Sequence, residues 1–158
     1  MMMDANSNKP VTILLVDDDP DCRMLIRDAI SECKVTNAVI EAGNGQQAIE
    51  MLRERAAKCG GEMPGLIYLD IEMPHLDGIA TLERLKADPG LRHIPVVMMT
   101  GVSDEAQMRK AAALGANSYT LKPANAEQFL RTVLASTNYW LAIHQYPDHR
   151  LPQEMCRR

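Results

Sequence analysis

The chain has 158 residues, a net charge of −4 and an isoelectric point near 5.5, which favours one domain with tails and disfavours a nucleic-acid-binding surface. The first ten residues lack the apolar core of a secretory signal, and no run approaches the roughly 18 to 20 apolar residues of a membrane span, so we expect a cytoplasmic protein. Its four cysteines form no C-x-x-C pair, which fits reduced thiols.

Hydrophobic periodicity predicts strands that alternate with helices behind a polar, disordered lead at 1–10. The predicted strands are 11–16, 35–42, 66–71, 94–100 and 118–121. The predicted helices begin at Pro20, after the glycines of "GNG" at 43–45, at 78 and near 104, and the last begins at Asn125 as N-cap. Five strands alternating with five helices predict a doubly wound α/β fold, a parallel sheet with helices on both faces.

Side chains with polar chemistry follow four of these strands. Asp17 and Asp18 follow the first, Asp70 ends the third, Thr100 ends the fourth and Lys122 follows the fifth. In an open parallel sheet, ligands bind beyond the carboxyl ends of the strands. If the first and third strands are neighbours, their ends lie about 4.8 Å apart and the three carboxylates converge. Two such charges about 4 Å apart repel by roughly 4 kcal/mol at an effective dielectric of 20, so a positive group must offset them.

The donor chemistry indicates what that positive group is. A lysine neutralises one charge of three, whereas carboxylate and carbonyl oxygens suit a hard divalent cation such as Mg²⁺. A single aspartate at a strand end is more often a turn former or a helix cap. That interpretation fits Asp19, placed as the N-cap of a helix whose first residue is Pro20. It does not explain the whole set of polar residues at one edge, which predicts a cation site.

Four motifs, "LLVDDDP", "LDIEMPHLDG", "VVMMTG" and "SYTLKPA", occur in this order. Together they resemble the receiver domain of bacterial two-component response regulators over 11–136, with 137–158 as a C-terminal helix extension and tail. The resemblance implies a flavodoxin-like five-stranded sheet of order 2-1-3-4-5. It implies a signalling domain rather than an enzyme, one that at most catalyses its own phosphorylation and dephosphorylation. Its expected partner is a sensor histidine kinase or a phosphotransfer protein.

The resemblance also implies a role for each residue of the polar set. Asp70 would accept a phosphoryl group from a phosphohistidine, and Thr100 and Lys122 would contact the phosphoryl oxygens. The expected ligands of Mg²⁺ are Asp17, Asp18, Asp70 and the backbone carbonyl of Glu72. Thr100 and Tyr119 would form the switch: the new charge draws Thr100 inward, and Tyr119 turns into the space that this frees.

Other positions refine this picture. The resemblance implies that Pro74 and Gly78 shape the loop after the acceptor, and that Lys122–Pro123 is a bond that the family often holds cis. Glu72 adds a fourth carboxylate at the rim, at a position that varies in the family. We expect it to alter metal affinity and the lifetime of the phosphorylated state.

The C-terminal segment has two interpretations. Helical spacing continues to about residue 144, and a helix of that length, about 28 Å, would overhang the sheet. It carries Tyr139 and Trp140, and Tyr146 follows. The segment either folds back over the core of its own domain or forms a homodimer or partner surface. The loop "CGGEMPG" and the "NYWL" ending resemble stand-alone receivers that partner bacteriophytochrome-type kinases.

Two rival functions stay open at this point. A phosphatase of the haloacid dehalogenase type also uses an aspartate, Mg²⁺ and a lysine, and Glu72 could be its second acid. However, its nucleophile follows the first strand, and no cap domain is expected here. A degenerate receiver would act only as an interaction module, but it would lack a pocket residue, and no residue of the pattern is missing.

Overall fold

The structure, a computed structural model, describes residues 11–33, 38–58 and 62–142. The strands are β1 (Thr12–Val16), β2 (Ala38–Ala42), β3 (Leu66–Asp70), β4 (Val96–Thr100) and β5 (Ser118–Leu121). The helices are α1 (Pro20–Ser31), α2 (Gly45–Ala57), α3 (Gly78–Ala87), α4 (Glu105–Ala113) and α5 (Ala126–Ala142). The expected disordered lead, the predicted end of the last helix near 144 and Tyr146 lie outside the described residues.

The five strands form one parallel sheet in the order β2-β1-β3-β4-β5. This confirms the predicted fold class and strand order. Since β1 and β3 are neighbours, the residues that follow Val16 lie beside Asp70 at one edge. The ends of β4 and β5 come to the same edge, where Thr100 pairs with Leu121.

The side chains of the central strands alternate between two apolar layers. In β1, Ile13 and Leu15 pack with α1 and α5, whereas Leu14 and Val16 pack on the side of α2, α3 and α4. All five residues of β1 are buried, as are all five of β3 and of β4. Burial on both faces explains why these strands read as continuous apolar runs in the sequence.

Within the described residues three predicted strands are longer than the observed ones, and in two of them local bonds end the ladder early. The predicted strand 94–100 begins at Val96, since the Ile94 amide donates to Leu91 in a turn and Pro95 has no amide hydrogen. The predicted strand 66–71 ends at Asp70, since the carbonyl of Ile71 accepts from Gly78 at 2.9 Å.

The last helix packs on its own domain as far as the structure describes it. The carboxamide of Asn125 accepts from the Glu127 amide at 2.8 Å, as expected of an N-cap. Further along, Thr137 Oγ1 lies 2.6 Å from the buried hydroxyl of Tyr68 in β3. Trp140 is buried in the apolar layer between sheet and helices, whereas Tyr139 is 48% exposed. Trp140 therefore fits the fold-back interpretation. No helix within the described ranges has the length and apolar character to cross a membrane.

Candidate functional site

Three carboxylates meet at the carboxyl edge of the sheet. Asp17 and Asp18 follow β1 directly and Asp70 is the last residue of β3, so strand pairing brings them together. One oxygen from each lies within 4.8 Å of the others. Asp17 and Asp70 are buried, with 2% and 6% of their surface exposed, and Asp18 is exposed. The structure thus places the three predicted ligands in one cluster.

The loop from β1 to α1 gives the aspartates of the "DDD" triplet separate tasks. Asp17 Oδ1 accepts from the Asp19 amide at 2.9 Å, which closes a tight turn at the strand end. Asp19 is the N-cap of α1, since its carboxylate accepts from the Asp21 amide at 2.9 Å and Pro20 is the first helical residue. Asp17 and Asp18 belong to the cluster, and Asp19 belongs to the helix.

Lys122 supplies a positive charge to the cluster. Its Nζ donates to Asp17 Oδ2 at 2.9 Å and lies 3.3 Å from Asp70 Oδ1. Burial lowers the pKa of Lys122, but the hydrogen bond to Asp17 and the charges of Asp17 and Asp70 together raise it above its usual value. The lysine is therefore an ammonium ion, and one positive charge faces three carboxylates.

The carboxyl group of Asp70 carries the electrostatic cost of this arrangement. Its pKa is raised from 3.8 to about 6: burial is the largest cause, the charge of Lys122 lowers the pKa, and the charge of Asp17 raises it. An added cation would relieve this cost. The donors fit one, because they are carboxylate oxygens with excess negative charge, the set that hard divalent cations prefer.

Thr100 is the last residue of β4, the strand that pairs with the one carrying Asp70. It is fully buried. Its hydroxyl donates to Glu72 Oε1 at 3.2 Å and accepts from the Val102 amide at the same distance. The hydroxyl expected to contact a phosphoryl oxygen is thus engaged with the rim carboxylate.

Tyr119 lies on β5, and its side chain is half-buried. Its ring packs against the apolar layer on the α2, α3 and α4 side. The hydroxyl oxygen is buried and has no hydrogen-bond partner within the described part of the chain. Burial first, and then the charge of Asp104, raise the pKa of this hydroxyl. The resemblance implied that this ring turns in upon phosphorylation, and that movement stays a prediction.

The loop after the acceptor depends on Gly78. A Cβ at this position would lie 2.1 Å from the carbonyl oxygen of Asp70 and 2.6 Å from Ile71 Cα, so no larger residue fits. Its amide donates to Ile71, which brings the start of α3 directly against the end of β3. The expected cis bond is not observed: Lys122–Pro123 is trans.

Cys22 is a neighbour of the cluster that the sequence did not indicate. It lies in the first turn of α1, is buried, and hydrogen-bonds to Asp17. Burial and then the hydrogen bond to Asp17 raise the pKa of its thiol to about 12. Its place just after the aspartates was the only available signal.

Comparison with known proteins agrees with this geometry. The family model described as the response regulator receiver domain matches residues 13–134. A probable methanogenesis regulatory protein of Methanothrix harundinacea, FilR2, is 33% identical over 138 residues, which cover 87% of this chain and 88% of the relative. The response regulator Rcp1 of Synechocystis is 29% identical over 92% of this chain and 99% of its own length.

Solved structures give the same result. The phosphorylated cyanobacterial phytochrome response regulator RcpA superposes with a TM-score of 0.82 at 30% identity, covering 89% of this chain and all of that one. The Mn(2+)-bound form of Rcp1 superposes with a TM-score of 0.80 at 28% identity over 87% of this chain and 99% of that one. These findings give no support to a haloacid dehalogenase phosphatase. The chain belongs to the response regulator receiver domains, the signalling domains of two-component systems.

Proposed function

We propose that Asp70 is the phosphoryl acceptor of this receiver and that the donor is a phosphohistidine of a sensor histidine kinase or a phosphotransfer protein. One observation carries the proposal: Lys122 Nζ bridges Asp17 and Asp70 at 2.9 and 3.3 Å, while three carboxylates share that single positive charge. A structural salt bridge needs one carboxylate. A site that gathers three at the mouth of a sheet is suited to binding cationic and phosphoryl groups.

The chemistry follows from these positions. An oxygen of the Asp70 carboxylate attacks phosphorus, the new P–O bond forms, and the P–N bond breaks with its electron pair leaving on the imidazole. The ammonium of Lys122 and the hydroxyl of Thr100 hold the phosphoryl oxygens as donors. Asp17, Asp18, Asp70 and the Glu72 carbonyl would hold Mg²⁺, which neutralises charge on the transferred group.

The signal is a change in partner affinity. For its hydroxyl to reach a phosphoryl oxygen, Thr100 must release Glu72, to which it is bonded at 3.2 Å. The released loop and Tyr119 then favour one of two surface arrangements, which a partner distinguishes. In this proposal the chain is not an enzyme and catalyses at most its own phosphorylation and dephosphorylation.

We further propose that the chain acts as a single-domain regulator, with 1–10 as a lead, 11–136 as the receiver and 137–158 as a helix extension and tail. Rcp1, matched over 99% of its length, is a response regulator of nearly the same extent. The likeness to RcpA, a phytochrome response regulator, supports a kinase of the phytochrome type as its donor.

A homodimer through the last helix stays a prediction. The exposed Tyr139 supports it, whereas the buried Trp140 serves the chain's own core. The alternative function, a degenerate receiver that acts only as an interaction module, would leave Asp70 unmodified. All residues of the expected pocket stand at the same edge of the sheet, which favours the active form.

Incubation with phosphoramidate and Mg²⁺, followed by intact-mass measurement, tests the acceptor. The unaltered chain should gain one phosphoryl group. Asp70→Asn should gain none, because a carboxamide lacks the negatively charged oxygen that attacks phosphorus. Asp21→Asn, which replaces an exposed aspartate of α1 outside the cluster, is the matched control and should gain the group. Absence of any gain in the unaltered chain with either phosphoramidate or acetyl phosphate would establish the interaction-only alternative.

A further inference from the structure

Arg23 contacts the acidic cluster from outside, through the backbone. We propose that Arg23 is a positioning residue of this site: it holds the Asp17 carbonyl so that two consecutive carboxylates, Asp17 and Asp18, point into the same cluster. The inference rests on the proposed cation site and assigns the residue that shapes it. Nothing in the sequence motifs singles out this arginine.

Two neighbouring aspartates do not share a site by default. Along a strand, successive side chains point to opposite faces of the sheet. Yet one carboxylate oxygen of Asp17, one of Asp18 and one of Asp70 all lie within 4.8 Å of one another. The chain must therefore leave strand geometry between them, and the peptide that joins them must be held in its turned orientation.

Bonds on both sides hold that peptide. On the strand side, the Asp17 amide still donates to Ala42 of β2 at 3.2 Å. Beyond it the ladder stops, because β2 ends at Ala42 and the chain turns into α2. Within the described residues, the Asp17 carbonyl accepts instead from Arg23 Nη1 at 2.5 Å.

The guanidinium is itself fixed. Its Nε pairs with Glu41 Oε1 on β2 at 3.3 Å, and 20% of its side chain is exposed. The other oxygen of Glu41 pairs with Arg27, one turn further along α1. Arg23 thus links β1, β2 and α1 at the site, whereas Arg27 shares the same glutamate without reaching the loop. This gives a matched pair of arginines.

If Arg23 acts only through its charge or instead positions the ligands, its removal should change the Mg²⁺ affinity in opposite directions. Removal of a cation near three carboxylates should tighten Mg²⁺ binding by Coulomb attraction. Removal of a group that orients the ligands should weaken it, about tenfold by analogy with other outer-shell partners of metal ligands. A residue that only fastens α1 to β2 should change stability and leave the affinity alone.

The test measures Mg²⁺ affinity by calorimetry in Arg23→Met and Arg27→Met. Positioning is supported if the dissociation constant rises about tenfold in Arg23→Met and less than twofold in Arg27→Met. Arg23→Lys keeps the charge, but one ammonium cannot reproduce the two separate donors of the guanidinium. Its Mg²⁺ dissociation constant should therefore fall between those of the unaltered chain and Arg23→Met. This variant decides the question if Arg23→Met does not fold.

A second readout needs no metal. The Asp19 amide, bonded to Asp17 Oδ1, should exchange its hydrogen about tenfold faster in metal-free Arg23→Met than in Arg27→Met. The inference is overturned if Arg23→Met binds Mg²⁺ as tightly as the unaltered chain or more tightly, or if both variants lose the same affinity. Either result leaves the cation site itself intact. If the unaltered chain shows no Mg²⁺ binding that depends on Asp70, the cation site itself is wrong and the inference with it.

Discussion

The hydroxyl of Thr100 has two competing acceptors. In this structure it donates to Glu72 Oε1, and in the phosphorylated state it would donate to a phosphoryl oxygen. In the proposed function, a carboxylate at the rim would oppose the phosphorylated state in two ways, by holding the Thr100 hydroxyl and by repelling the phosphoryl charge. The resemblance gave Glu72 as a variable rim residue, and the hydrogen bond supplies a physical reason for its predicted effect on the phosphorylated state.

The Glu72→Ala substitution should lengthen the life of the phosphorylated state. Loss of one charged hydrogen-bond competitor is worth about 1 kcal/mol, so we expect roughly a fivefold slower dephosphorylation. Glu72→Gln keeps an acceptor without the charge and should fall between. The decay of the phosphorylated mass with time gives both rates, and equal rates in all three proteins would show that Glu72 has no such role.

Single residues were predictable from the sequence where their position alone decides their role. Asp17, Asp18 and Asp70 converge because parallel neighbouring strands end at one edge; the periodicity indicated the parallel sheet, and the resemblance implied that β1 and β3 are neighbours. The contacts of Arg23 and Cys22 with this cluster were not predictable, since they depend on the rotation of α1 about its axis. The buried hydroxyl of Tyr119 was missed for a similar reason, because side-chain orientation is set by packing.

Elements were predicted best where burial is complete on both faces. The central strands β1, β3 and β4 read as apolar runs, which predicted their existence, whereas their order in the sheet came from the family resemblance. Their ends were not predicted, because Pro95 and the Gly78 bond to Ile71 act through backbone hydrogen bonds that periodicity does not detect. The start of the last helix was predicted well, because Asn125 caps it, whereas its predicted end near 144 lies outside the described residues.

The bond between Tyr68 and Thr137 fastens the last helix to the strand that carries Asp70. The two hydroxyl oxygens lie 2.6 Å apart and are buried, so Tyr68→Phe should lower the free energy of unfolding by about 1 to 2 kcal/mol by leaving a buried hydroxyl without its partner. Thr137→Val should cost a similar amount.

Denaturant unfolding of both single variants and the double variant measures the coupling. Because the double variant removes both hydroxyls, it should lose less stability than the sum of the two singles. Strict additivity would show that the bond contributes nothing to holding the helix.

At the scale of the whole molecule, assembly is separable from folding. Truncation after Ser136 would remove the buried Thr137 and Trp140, and would therefore weaken the fold whatever the assembly. Tyr139→Glu changes an exposed residue instead. If a second copy packs on this helix, this variant should shift the mass in solution from dimer to monomer, with Asn138→Glu as the control on another side of the helix. A monomeric unaltered chain at high concentration would refute the dimer.

The acidic site also lowers the stability of the whole fold at neutral pH. The pKa of Asp70 is about 6 in the folded chain against an ordinary 3.8. Without a bound cation, the protonated carboxyl of Asp70 stabilises the folded state fully below about pH 4. This stabilisation is lost as the pH rises through about 6 and the carboxyl ionises. At pH 7.5 the ionised group costs on the order of 2 kcal/mol. The ionised Asp70 therefore lowers the stability of the fold at the edge of the sheet where the proposed cation site lies.

Thermal unfolding at pH 7.5, with and without Mg²⁺, tests this central claim most directly in the unaltered chain and in Asp70→Asn. Without Mg²⁺, Asp70→Asn should melt about 5 °C above the unaltered chain, because a buried charge has been removed. Saturating Mg²⁺ should raise the melting temperature of the unaltered chain and have a much smaller effect on the variant. A melting temperature of the unaltered chain that is indifferent to Mg²⁺ would contradict the account.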